Sequence, residues 1–378
     1  MPNITYYLGA GASFNSIPLY GHFQERLSFF RDYIFHHSAK FNNIKLQPAT
    51  DYYLTKLKTL IDLLDPDDYV SIDTLAHTIF KKPSDDTGLT FHQLKYLISD
   101  FFMFEQLVKR KEDIHFTQIQ DIDIVNCYQR HNTEICRKVN NSIDKRYRTF
   151  VLPQLNNTDN VIPENINFIS WNYDMQMELA YADSLNVSVT EAQKKLQVYP
   201  SPSVKDLDVH LKSSFIKLNG TAGIYYKDQN KGLSNFIYEH EIKWKDEFLE
   251  EMMETFLRNK TRISDRQPFF KFYFEDPDPI HSEAVKYANL IIKITDVLVI
   301  IGYSFHTSNR VIDKAVLEGA TNIKKIIVQT DPKDFEGVKH NLINTRFEFR
   351  DYIEQYPTLD NFPTPNNIGL EPVSYSIV

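Results

Sequence analysis

The apolar run Ile4-Thr5-Tyr6-Tyr7-Leu8 breaks without transition into Gly9-Ala10-Gly11-Ala12-Ser13-Phe14. Such a break predicts a buried parallel strand that ends in a tight turn and opens a helix. Glycine at that point lets the backbone approach a bound pyrophosphate closely, and the unpaired N–H groups of a helix start favour negative charge. Short Gly-Ala runs also turn corners in proteins that bind no phosphate, so the turn takes its meaning from its surroundings. Glycine is scarce, 11 in 378 residues, yet Gly9, Gly11, Gly220 and Gly302 all sit behind strand-like runs.

Those surroundings repeat the pattern. Ile166 to Trp171 reads as a buried strand, cut off by Asn172-Tyr173-Asp174 and followed by a helix from Met175 to Asp183. Phe215-Ile216-Lys217-Leu218 is a strand ending at Asn219-Gly220-Thr221, and Phe269 to Phe274 is a further strand candidate. Val297 to Ile301 is the plainest strand; it stops at Gly302-Tyr303-Ser304 before a helix from about Ser308 to Glu318. Ile323 to Val328 closes at Gln329-Thr330-Asp331-Pro332. The alternation of helix and strand over 281–350 is that of a doubly wound parallel sheet. Between the first strand and Ile166 lie helical segments: His22 to Ala39, Tyr52 to Leu64 (stopped by Asp65-Pro66-Asp67), one from Ser71, Thr90 to Arg110, and 118–152. A further helix is predicted for Trp244 to Leu257. The expected fold is therefore α/β, a Rossmann-like doubly wound parallel sheet with a large helical insertion. Residues 1–21 with 160–350 form its core, 22–159 the insertion, and the proline-punctuated 351–378 an extended C-terminal arm.

Bulk composition narrows the functional classes. A hydrophobic fraction of 42% and an aromatic fraction of 13% describe a well-filled globular chain. No stretch approaches the roughly 20 apolar residues of a membrane span. The opening strand leaves no room for a signal peptide, and a cytoplasmic protein is expected. The two cysteines, Cys127 and Cys136, fit neither a zinc site nor a disulfide framework, so no metal is expected. A net charge of −8 argues against a protein whose main task is gripping nucleic acid.

Ligands of open α/β sheets bind outside the carboxyl ends of the strands. Here five such ends carry polar or glycine clusters: Gly9 to Ser13, Asn172 to Asp174, Asn219 to Thr221, Gly302 to Ser304, and Thr330-Asp331. Brought into one sheet, they would ring a single crevice.

In this order the motifs resemble the sirtuin-like NAD-binding family, and in particular its bacterial branch of NAD-degrading antiphage effectors. Gly9-Ala10-Gly11-Ala12-Ser13, with Pro18 after it, is similar to the family's opening phosphate loop. Ser170-Trp171-Asn172-Tyr173-Asp174 is similar to its Asn-x-Asp motif, Lys217-Leu218-Asn219-Gly220 to its Lys-Leu-His-Gly motif, and Ile300-Ile301-Gly302-Tyr303-Ser304-Phe305 to its second ribose-phosphate loop. The resemblance covers the first twenty residues or so and much of 160–335. It implies NAD+ as substrate, with Gly9, Ala10, Gly11, Ala12, Ser13, Asp174, Gly302, Tyr303, Ser304, Thr330 and Asp331 on the cofactor side. It also implies a homo-oligomer controlled by a partner such as a HerA-type ring ATPase or an Argonaute-like protein. Three departures matter. Asn219 stands where the family has its histidine, the four-cysteine zinc module of the deacylases is missing, and Leu19-Tyr20-Gly21 replaces their Asp-Phe-Arg. The last two point from deacylation to plain NAD+ cleavage. Asn172 is the residue to hold a water or ribose hydroxyl, while Asp174 at a helix start suits a cap as well as a sugar contact. Asn219 cannot take a proton, which leaves His306, then His210, as candidate bases, or else a chain that binds NAD+ without turning it over.

Overall fold

The computed structural model describes residues 1–38, 47–64, 71–82, 87–108, 143–155, 160–209, 212–227, 232–235, 245–258 and 267–368. The chain divides into two compact units: Met1–Ser13, Asp144–Gly220 and Glu275–Val378 form the first, Phe14–Ile143 and Thr221–Phe274 the second. The strands are β1 Ile4–Leu8, β2 Ile166–Ser170, β3 Val198–Tyr199, β4 Phe215–Lys217, β5 Gly220–Lys227, β6 Gly232–Asn235, β7 Pro268–Phe270, β8 Val297–Ile301, β9 Lys325–Gln329 and β10 Ile353–Gln355.

Seven of these strands build the sheet of the first unit, in the order β10-β9-β8-β1-β2-β4-β3, and all its pairs are parallel. The chain starts mid-sheet and builds one side through β2, β4 and β3. It then returns beside β1 with β8 and winds the other way, so β1 and β8 flank the point of reversal. This is the expected Rossmann-like, doubly wound α/β architecture. Apolar runs without alternation make such strands, because helices cover both faces; β1, β2, β4 and β8 are buried throughout. One face packs Tyr7, Ile169, Ile300 and Val328 against Ala288, Ile292, Leu317 and Leu342 of helices Pro279–Ile294, Arg310–Leu317 and Phe335–Thr345. On the other face Tyr6 and Phe168 meet Phe150 of helix Lys145–Gln154 at ring distances of 4.9 and 6.0 Å.

The second unit is mainly helical. Helices Phe23–Ser38, Gln47–Leu63, Ile72–Lys81, Phe91–Met103 and Lys245–Arg258 accompany a three-stranded sheet, β6-β5-β7. Capping boxes at Ser71 and Thr90 start two of them. Arg26 and Glu105 form a buried pair at 2.8 Å, with the guanidinium 4.5 Å from the centre of the Phe29 ring.

The structure departs from the sequence reading in four places. The turn after β1 opens no helix directly: Ala10–Ser13 is a single 3-10 turn, and the first helix, expected from His22 to Ala39, runs Phe23–Ser38. The insertion comes in two pieces, because Gly220, with φ of +75°, leads straight into β5 and 221–274 joins the second unit. Helix Lys145–Gln154, assigned to the insertion, instead covers the core sheet. The C-terminal segment is not wholly an arm, since β10 adds a parallel edge strand beside β9. The readings at Ala39, Asp65-Pro66-Asp67, 109–110, 118–142 (with Cys127 and Cys136), His210, Trp244 and 369–378 lie outside the described residues. Among the described residues no helix is long and apolar enough to cross a membrane, and no group of three or more His, Cys, Asp or Glu is placed to hold a metal ion.

Candidate functional site

Strand register brings the five polar ends to one edge. Leu8 pairs with Ser170 and Ile301, Ser170 with Lys217, and Ile301 with Gln329. Ala10, Asn172, Asn219, Tyr303 and Asp331 each stand two residues past these paired ends. Along the carboxyl edge they follow the order Asp331, Tyr303, Ala10, Asn172, Asn219. Four interstrand spacings separate the outer two, about 19 Å in all. The reversal point between β1 and β8 lies within this row, where open α/β sheets bind their ligands.

The glycines serve a contact the sequence did not predict. Gly9 N–H donates to Ile301 O (2.9 Å), Gly11 N–H to Gly302 O (3.0 Å) and Ala12 N–H to Gly9 O (2.8 Å). A Cβ on Gly9 would stand 2.6 Å from Gly302 O, and one on Gly302 only 2.4 Å from the Gly11 carbonyl carbon. Gly302 also has φ of +60°, a conformation glycine adopts without strain. The close approach expected between turn and pyrophosphate is here one between two loops, and three N–H donors are used within it. The two loops leave no space between them, and Ala10 is exposed on their outer side.

Asn172 ties the β2 end to the same turn. Its Nδ2 donates to Gly9 O (2.9 Å) and to Ser13 Oγ (3.3 Å), while its Oδ1 takes no hydrogen bond from a described residue. Ser13 is buried and also bonds Tyr147 Oη (3.1 Å) and the Asp174 carboxylate. Asp174 accepts from Gln176 N–H at 3.0 Å. It is thus an anchor beneath the loop, one residue before the Met175 N-cap of helix Gln176–Leu185, and Ser13 and Ala12, placed on the cofactor side by sequence, are buried as well. Burial pushes the Asp174 and Glu178 carboxyls up, opposed in each by Lys217, whose ammonium is 3.4 Å from Glu178 Oε1 and donates to Asp174 O.

Arg146 was missed by the sequence reading. From the start of helix Lys145–Gln154 its Nη2 donates to Ala12 O (2.9 Å) and Gly11 O (3.3 Å), and pairs with Asp144 at 2.6 Å. The guanidinium thereby fixes which way the turn's peptides face.

Tyr303 is turned inward: its ring stacks on Trp171 at 5.5 Å and its hydroxyl donates to Asp313 Oδ2 at 2.9 Å. Ser304 is exposed, its carbonyl held by Asn341. His306 is exposed, and its Nδ1 accepts from Ser308 N–H (3.3 Å), the bond of a turn cap. Asp331 caps the next turn through Lys333 N–H (3.1 Å) beside half-buried Thr330. Asn219 is 8% exposed, and its amide makes no hydrogen bond to a described residue. The edge therefore offers two amide groups, Asn172 and Asn219, over a buried charged foundation. Sequence could have flagged one part of that foundation, because a lysine inside the apolar run Phe215–Leu218 must find a carboxylate.

Compared with known proteins, the chain matches no protein-family model and no curated protein.

Proposed function

We propose that this chain is an NAD+ glycohydrolase, splitting NAD+ and water into nicotinamide, ADP-ribose and a proton. The observation that carries the reading is the alignment of five polar strand ends along the carboxyl edge, with Asn172 beside the β1–β8 reversal point. Nicotinamide leaves as a neutral molecule, so the reaction needs little acid help. The barrier lies in the oxocarbenium-like ribose, which preorganised neutral dipoles stabilise. Asn172 suits this role: two acceptors, Gly9 O and Ser13 Oγ, hold its amide nitrogen in place, and its Oδ1 remains to accept from a ribose hydroxyl or the attacking water. Asp174, Ser13 and Arg146 position the loops. By the motif resemblance the chain is a cytoplasmic, sirtuin-like antiphage effector, a homo-oligomer released by a HerA-type ATPase or an Argonaute-like partner.

One observation favours a second reading, an NAD+ or ADP-ribose sensor without turnover. The edge presents amides at 172 and 219, and the Nδ1 of His306 is engaged in a turn cap. Incubating the purified full chain with NAD+, with no acceptor protein, separates the two. Nicotinamide release by the wild-type chain supports the hydrolase and excludes a deacylase or transferase that needs an acceptor. Release only after Asn219→His establishes the sensor.

A further inference from the structure

Beneath the candidate site, one carboxyl group takes donors from two strand ends and is joined to a third through Tyr7. Asp313 lies fully buried on helix Arg310–Leu317. Its Oδ1 accepts from Tyr7 Oη of β1 at 2.7 Å, and its Oδ2 from Tyr303 Oη behind β8 at 2.9 Å. Trp171, behind β2, donates its Nε1–H to the same Tyr7 hydroxyl at 3.0 Å and stacks its ring on Tyr303. Asn309 donates to Tyr303 Oη at 3.1 Å. Tyr303 follows Gly302 and Trp171 precedes Asn172, so the tie reaches one residue short of each loop that meets the Gly9 turn.

We propose that Asp313 is the positioning residue of this edge: through Tyr7, Trp171 and Tyr303 it holds the ends of β1, β2 and β8 together, and its ionisation sets how the loops after β2 and β8 lie on the Gly9 turn. The charged carboxylate accepts from both hydroxyls at once. The neutral acid turns one oxygen into an O–H donor, so the bond from Tyr303, whose Oη is 2.9 Å from Oδ2 and 3.2 Å from Oδ1, shifts to Oδ1 or reverses. The groups that face it are Tyr7 from β1, Trp171 after β2, Tyr303 after β8, and Arg310 on its own helix. Both tyrosines are held well above the usual phenol range, by burial first and then by Asp313, so they keep their protons throughout. Burial pushes Asp313 itself up to about 7, against the hydrogen bonds and Arg310 that lower it. The switch therefore works near neutral pH.

The test uses the full chain labelled with 5-fluorotryptophan, the Trp171 resonance being assigned by its loss in Trp171→Phe. The resonance is expected to titrate with a midpoint near neutrality in the wild type and to be pH-invariant in Asp313→Asn. Tyr303→Phe removes a bond that favours the charged form and is expected to raise the midpoint by about one pH unit. A wild-type resonance that does not titrate, an unchanged titration in Asp313→Asn, or an unmoved midpoint in Tyr303→Phe overturns the proposal. A second readout rests on the hydrolase reading: kcat/KM for NAD+ shows the same ionisation in the wild type and loses it in Asp313→Asn. Absence of NAD+ cleavage overturns the hydrolase and leaves the resonance titration to decide on Asp313.

Discussion

Substituting Gly302 by alanine tests the loop-on-loop contact at its tightest point. The new Cβ would meet Gly11 carbon atoms at 2.4 Å and Ala12 N at 2.5 Å, all backbone, so no flexible side chain can swing away. Relief requires the two loops to part by about 1 Å, breaking the Gly11 N–H bond to Gly302 O. Overpacking of this kind costs about 1–3 kcal/mol. The left-handed φ of +60° adds about 1–2 kcal/mol for a residue that carries a Cβ. Together they predict a destabilisation of about 2–5 kcal/mol, which lowers Tm by roughly 5–15 °C in a unit of this size. Differential scanning calorimetry measures it. Gly337→Ala is the control: it lies in helix Phe335–Thr345 with nothing within 4 Å of its Cβ, and is expected to melt slightly higher than wild type. A Gly302→Ala chain that melts with the wild type would refute the contact and the role given to the glycines.

Four further substitutions probe the rest. Asn172→Ala is expected to lower NAD+ cleavage by about 10²–10³-fold; it also loses the bonds to Gly9 and Ser13, so chemical denaturation should show a loss of about 1–3 kcal/mol. Arg146→Met leaves the Asp144 carboxylate buried without its cation and is expected to cost about 3–5 kcal/mol, read as a fall in the urea midpoint. His306→Ala removes only an exposed turn cap and should leave nicotinamide release within about threefold of wild type; a hundredfold loss in a kinetic assay would restore His306 as a base. For Asp313 the sign follows from a folded-state value raised to about 7 from 3.8. The folded chain keeps a proton that the unfolded chain gives up, so this contribution is fully present below about pH 4 and is lost as pH rises to about 7. Over that window the wild type should lose up to about 4 kcal/mol relative to Asp313→Asn, measured by urea unfolding at pH 4.5 and 8.

The sheet was legible because each central strand is a mainly apolar run that stops at a polar cluster, with only Thr5, Asn167 and Lys217 breaking the runs of β1, β2 and β4. The same feature placed the five site clusters on one edge. What escaped has physical reasons. β10, Ile353-Glu354-Gln355, is a largely exposed edge strand and carries no apolar run to read. Gly220 reads as a turn, yet its positive φ serves the join between β4 and β5, which hid the second half of the helical unit. The glycines at 9, 11 and 302 suggest phosphate or ribose contact by sequence, which cannot show that the two loops bearing them pack backbone to backbone. Asp174 at a helix start suits a cap or a sugar contact by sequence; its carboxylate is buried against Gln176 N–H and Ser13, one residue before the Met175 N-cap. Arg146, Tyr147 and Asp313 sit on helices whose pattern shows only packing, so their roles emerge from partners more than a hundred residues away, as in Tyr7 with Asp313.

The central claim, that a dinucleotide lies along the carboxyl edge with its ribose at residue 172, is met most directly by a crystal structure of the full chain with bound ADP-ribose. A pyrophosphate is expected over Ala10 and the joined Gly9–Gly302 loops, with a ribose hydroxyl roughly 3 Å from Asn172 Oδ1. ADP-ribose bound at the opposite edge of the sheet, or absent at saturating concentration, would contradict it.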